Sequence, residues 1–135
     1  MENVSLPVIG VIRTPVTRRE DLPRQASMRK DLTGRAELKP EYAAGLDGVA
    51  GCGKVWLFFA FHGIGEDDVE LVTRARHDGI VKGVFATRSP KRPSRMGATL
   101  VDVIRVDGPV IEFAGVDMLD GSPLLDVKPF LDEEG

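Results

Sequence analysis

Hydrophobic and polar positions along this chain change over in short runs, and no run keeps a helical period for long. Pro7-Val8-Ile9-Gly10-Val11-Ile12 reads as a short β-branched strand, followed by a polar, arginine-rich loop too irregular for a helix. Glu41 to Val49 predicts a short helix ending at Gly48 or Gly51. Val55-Trp56-Leu57-Phe58-Phe59-Ala60-Phe61 is apolar throughout and dense in β-formers, which predicts a central strand buried on both faces. Alternation returns from Val69 to Arg74, and Lys82 to Thr87 gives a further short strand. Leu100 to Val106 and Pro109 to Phe113 flank Asp107-Gly108, a pair that favours a tight hairpin because glycine takes positive φ freely and aspartate tolerates it.

Composition narrows the fold class. Fifteen glycines and nine prolines in 135 residues interrupt any long helix. The pattern therefore describes one mainly β domain, residues 1–135 with a core over about 8–130, of five to seven short strands that curl into a barrel or pack as a sandwich. The longest uncharged apolar run, Val55 to Phe61, is far short of a membrane span, and no basic-apolar leader opens the chain. The single Cys52 excludes an intramolecular disulfide and fits a reducing, cytoplasmic setting.

Charge changes the picture more than the net −3 suggests. Arg13 to Lys39 holds eight basic and four acidic residues, and Arg74 to Arg95 holds seven basic residues against Asp78 alone. From Glu112 onward seven carboxylates face one Lys128. Arginine forks hold planar oxyanions, so the basic stretches point to phosphate or carboxylate recognition, with a solvated, internally paired face as the bland alternative.

Several common chemistries are excluded. Gly51-Cys52-Gly53 and Gly63-Ile64-Gly65 lack the third glycine and following helix of a dinucleotide turn, and there is no phosphate-loop Gly-Lys-Ser/Thr. Cys52, His62 and His77 match no zinc spacing, so no metal is expected. Two polar clusters remain: Gly83 to Gly97, whose Pro90 and Pro93 limit loop freedom around Arg88, Arg92 and Arg95, and the acidic, turn-rich Asp117 to Pro129.

Those clusters carry a resemblance. Val8-Ile9-Gly10-Val11-Ile12-Arg13-Thr14-Pro15, Pro23-Arg24-Gln25, Trp56-Leu57-Phe58 with Phe61-His62, Gly83 to Pro93, and Asp117 to Pro129 occur in an order that resembles the TsaA-like, or TrmO, family. The resemblance implies a small β-barrel methyltransferase with at most one or two short helices, unlike the Rossmann type, that binds S-adenosyl-L-methionine near the interface of a homodimer. The family's activity is methylation of N6 in N6-threonylcarbamoyladenosine beside the tRNA anticodon. Carried onto this chain, the cofactor residues are Pro23, Arg24, Gln25, His62, Gly63, Arg88, Ala98, Val116, Asp117, Met118 and Asp120. Arg24 or Arg88 could meet the cofactor carboxylate, Gln25 or Asp117 the ribose or ammonium, and backbone groups near Met118 the adenine edge. His62, Asp117 and Asp120 are the candidate bases, and Arg74, Arg76, Arg92 and Arg95 the candidate acceptor-binding residues.

The chain departs from the family where Arg92-Pro93-Ser94-Arg95-Met96-Gly97 replaces the usual Arg-Pro-Asn-Pro-Ile-Gly. A cation thus enters the loop expected to face the acceptor. A small anionic acceptor, or a binding module without catalysis, are the alternatives to tRNA.

Overall fold

The computed structural model describes residues 2–23, 31–76 and 78–132. Eight strands carry it: β1 (Gly10–Arg13), β2 (Thr33–Leu38), β3 (Lys54–Ala60), β4 (Val72–Arg74), β5 (Val81–Gly83), β6 (Met96–Asp107), β7 (Val110–Ala114) and β8 (Ser122–Pro129). Six of them close into an antiparallel barrel in the order β1-β2-β7-β6-β3-β8, with β8 returning to β1. Closure leaves these strands no free edge, and it decides between the barrel and the sandwich. β4 and β5 form a separate two-stranded ribbon.

The core is the inside of the barrel, where Ile12, Val55, Leu57, Val101, Ile111, Phe113 and Leu124 are buried. β3 is central in the sense that β6 and β8 both pair with it. It is not buried on both faces: Val55, Leu57 and Phe59 point inward, while Trp56, Phe58 and Ala60 lie half-buried on the outer wall. A barrel has one interior, so even an all-apolar strand alternates in burial.

Other expectations are corrected. The arginine-rich segment read as a loop contains β2, whose inward positions are Gly34, Ala36 and Leu38. Gly34 is small for a reason: a Cβ there would lie 2.6 Å from the Phe113 ring. The acidic stretch read as turns holds β8, with Pro123 and Pro129 in register opposite Val11 and Val55. The expected helix over 41–49 is a 3-10 segment, Pro40–Leu46, followed by another at Val49–Cys52 after Gly48 turns left-handed at φ 90°. Among the described residues every helical segment is of this short kind, and none is an α-helix. The alternating Val69 to Arg74 shortens to β4, and Lys82 to Thr87 becomes β5 plus a 3-10 turn at Val84–Ala86.

The hairpin is present with its turn moved by one residue. Asp107 pairs with Val110, so Gly108 and Pro109 are the central residues, with Gly108 at φ 56°. Positive φ at the first central position and a proline-fixed negative φ at the second match a type II′ turn, which suits the strand twist.

Candidate active site

One end of the barrel gathers the segments singled out by sequence. β3 ends there, where Ala60 pairs with Met96 at the start of β6. β8 begins there, with Ser122 opposite Ile12 near the end of β1. The stretches 14–23, 61–65, 88–95 and 115–121 therefore leave from the same rim.

The 116–121 turn is stitched to the end of β1. The Thr14 hydroxyl donates to the Met118 carbonyl at 3.0 Å, and the Thr14 amide donates to Asp120 Oδ1 at 3.1 Å. The amides of Asp120 and Gly121 donate to the carbonyls of Val16 and Ile12, both at 2.8 Å. Val116 and Met118 are buried, which anchors the turn, and Asp117 and Asp120 are left half-buried at the rim. Asp117 Oδ1 accepts a 2.6 Å hydrogen bond from the hydroxyl of the buried Thr99. Asp120 also lies 3.8 Å from Arg13.

His62 is exposed just past β3, and a Cβ added to Gly121 would sit 3.9 Å from its Nε2. The ring thus borders the 116–121 turn. No hydrogen bond to the His62 ring is found among the described residues, whereas Asp117 and Asp120 are both engaged. Gly63 follows with φ 87° in open space. Arg88 donates to the Ala98 carbonyl, joining two more of the expected residues. Pro23 is half-buried two residues past a 3-10 segment at Arg19–Asp21; Arg24 and Gln25 lie outside the described residues.

The four expected acceptor-binding arginines all lean on backbone carbonyls. Arg74 reaches Gly79 within the ribbon, and Arg76 reaches Leu22, tying the ribbon to the segment before Pro23. Arg92 folds back on its own loop, to Thr87 at 2.9 Å and Ser89 at 3.2 Å. Arg95 is the one described non-glycine residue with positive φ, at 50°, and its guanidinium donates to Ile64 at 3.2 Å. That backbone conformation costs on the order of 1 kcal/mol and is held by two further bonds, from Arg95 N–H to Arg92 and from Phe61 N–H to the Arg95 carbonyl.

Sequence reasoning missed Thr14, Thr99 and Arg19. Nothing local distinguishes them, since their importance comes from partners up to 106 positions away. Arg19 is half-buried, donates to the His62 carbonyl at 3.3 Å and lies 6.0 Å over the Phe61 ring.

Charge is distributed unevenly. Arg13, Arg18, Arg35 and Arg105 each meet a carboxylate. Arg19, Arg74, Arg76, Arg88, Arg92 and Arg95 show no ion pair among the described residues, and each leans on a neutral carbonyl. Two clefts open elsewhere than at His62, the first of them beside the Arg13 and Thr14 that hold Asp120. One of about 450 Å³ opens beside Thr14 between Arg13, Arg35 and Glu112, and one of about 670 Å³ lies between Cys52, Lys54 and Phe130. Neither includes His62 or Asp117. Among the described residues no group of metal-ligating side chains is found, and no helix is long and apolar enough to cross a membrane.

Residues 11–134 match the family described as the tRNA-methyltransferase O N-terminal domain. A probable S-adenosyl-L-methionine-binding protein of Pyrococcus abyssi is 35% identical, with 93% of this chain and 67% of that protein covered. A mouse tRNA (adenine(37)-N6)-methyltransferase is 36% identical over 96% of this chain, but only 31% of its own length is covered. The crystal structure of TrmO from Pseudomonas aeruginosa superposes with a TM-score of 0.80 at 29% identity, covering 99% of this chain and 60% of that one. The chain thus spans less than two thirds of the mouse protein and of the bacterial structure.

Proposed function

We propose, from the premise that this chain belongs to the TsaA-like family of the tRNA-methyltransferase O N-terminal domain, that it is an S-adenosyl-L-methionine-dependent methyltransferase. Its proposed acceptor is N6 of N6-threonylcarbamoyladenosine beside the tRNA anticodon, and its proposed setting is the cytoplasm. The observation that carries the reading is the convergence of His62, Gly63, Arg88, Ala98 and 116–120 at one barrel rim, beside Arg19, Arg92 and Arg95, which have no carboxylate partner among the described residues.

The residues present fit such a cofactor. Its carboxylate suits a guanidinium such as Arg88, which has no ion pair among the described residues, its ammonium and ribose diol suit the Asp117 and Asp120 carboxylates, and buried Met118 and Val116 supply an apolar wall. When bound, the sulfonium supplies an already activated methyl group. The protein's work is then to orient the acceptor, exclude water and take up a proton from N6. Of the three candidate bases, His62 is assigned this role. Asp120 is committed to Thr14 and Arg13, Asp117 is held by Thr99, and the imidazole ring is presented at the rim.

A homodimer is part of the same reading. The β4–β5 ribbon and the turn after it expose Leu71, Val72, Ile80, Val81 and Phe85, each more than half exposed. A two-stranded ribbon is marginal without cover, and apolar groups of this size at one place mark an interface. A second copy is the proposed cover. Sedimentation should give twice the mass of one chain, and Phe85→Glu should shift it to a monomer. A wild-type monomer at micromolar concentration would overturn this part.

The acceptor is tested with labelled S-adenosylmethionine, offered total tRNA and, separately, small molecules of the source cell. Label in tRNA at an adenosine beside the anticodon is expected. Arg95 favours a second reading, a small anionic acceptor, which label confined to the small-molecule fraction would establish. Cofactor binding with no transfer to either fraction would leave a binding module.

A further inference from the structure

The first 3-10 segment, Arg19–Asp21, contains an imbalance. Its two carboxylates both turn to Arg18, with Glu20 at 3.1 Å and Asp21 at 3.4 Å. Arg19 beside it receives none. It is nonetheless the more buried of the two arginines, lying over Phe61 and using one N–H on the His62 carbonyl. A guanidinium has five N–H donors, and a neutral carbonyl satisfies one of them without balancing the charge. Burial without a counter-charge pushes the Arg19 pKa down, yet a guanidinium stays protonated, so the charge remains and has to be met.

At Ile64, two residues after His62, Arg95 repeats the arrangement. Its guanidinium is half-buried, donates to the Ile64 carbonyl, and has no carboxylate partner among the described residues. The His62–Ile64 turn is therefore gripped through two of its carbonyls by two cations, with the exposed His62 ring and the open Gly63 at its surface. A purely structural arginine in this segment would resemble Arg18.

We propose that Arg19, together with Arg95, forms an oxyanion clamp on the 62–64 turn, and that the missing counter-ion is a ligand carboxylate. This rests on the methyltransferase reading for the source of that carboxylate, which is either the amino-acid end of the cofactor or an anionic group of the acceptor. A planar carboxylate is the matching shape for two forks. Because the clamp grips the His62 and Ile64 carbonyls, filling it also fixes the turn that carries the His62 ring.

The test uses the whole chain and the variants Arg19→Ala, Arg19→Lys and Arg95→Ala, each first shown to melt close to wild type. Calorimetry compares S-adenosylmethionine with 5′-methylthioadenosine, which keeps adenosine and sulfur but has no carboxylate. If the cofactor supplies the anion, Arg19→Ala loses tenfold or more in affinity for the first and stays within twofold for the second. If the acceptor supplies it, both affinities hold and KM for the acceptor rises tenfold or more. In either case Arg19→Lys, which keeps the charge and loses the fork, recovers only part of the loss. Inorganic pyrophosphate, titrated against melting temperature, probes the clamp without reference to methyl transfer. It should stabilise wild type more than Arg19→Ala or Arg95→Ala. Equal stabilisation, with affinities and KM all within twofold, overturns the clamp. A wild type that binds no S-adenosylmethionine overturns the methyltransferase reading instead, and the pyrophosphate titration still decides the clamp.

Discussion

Replacing His62 by alanine should slow methyl transfer by about 100-fold or more, the usual scale for losing a positioned proton acceptor. Affinity for S-adenosylmethionine should change only a few-fold. The backbone of 62–64 is held by groups that do not involve the ring: the His62 amide bonds to Ala60, and its carbonyl accepts from Arg19. Removing the imidazole therefore deletes a base and leaves the turn in place. Single-turnover kinetics with saturating cofactor would measure the step directly. A variant that keeps half of the wild-type rate would take the role from His62 and pass it to Asp117. Asp120→Ala should behave differently, lowering stability first, because that carboxylate holds the Thr14 amide and Arg13.

Gly97→Val should be among the most damaging changes to the fold. Gly97 begins the inward face of β6 opposite Phe59, and an added Cβ would lie 2.5 Å from the Phe59 ring and 2.9 Å from that of Phe61. Those rings are packed edge to face, 5.4 Å apart at 81°, and Phe59 is buried. They cannot both yield without opening the rim on which the candidate site stands. Overpacking of this kind costs about 3 kcal/mol, which lowers the melting temperature of a domain this size by roughly 10 °C. Thermal unfolding followed by circular dichroism checks it. A shift under about 2 °C would mean the rings have room that the structure does not show.

Legibility in the sequence followed the strength of local signals. β3 and β7 were legible because their inward positions carry large apolar side chains, β6 was legible only over Leu100 to Val106 because its first inward positions are Gly97 and Thr99, and Asp107-Gly108-Pro109 marks the hairpin even though Gly108-Pro109, not Asp107-Gly108, forms its centre. β2 escaped because two of its inward residues are Gly34 and Ala36. The smallness of Gly34 makes space for Phe113, its partner in register on β7, so that part of the strand signal lies in the partner and not in the segment. β8 escaped because Pro123, Pro129 and Asp126 imitate turns, although the pairing with β1 and β3 accommodates them.

The same division runs through the site. By itself the sequence determined a small, glycine- and proline-punctuated β domain, the residue blocks that resemble a methyltransferase family, and a surplus of arginine in the stretch 74–95. All of these are properties of short segments. Tertiary structure alone decided that the blocks share one rim, that Thr99 holds Asp117 and Thr14 holds Asp120, and which arginines are neutralised. The reason is barrel closure: pairing β1 with β8 brings together residues more than a hundred positions apart, and no local pattern encodes who will stand beside whom. Arg18 and Arg19 are neighbours with the same chemistry in the sequence, and only the folded chain shows that Arg18 meets two carboxylates while Arg19, among the described residues, meets none.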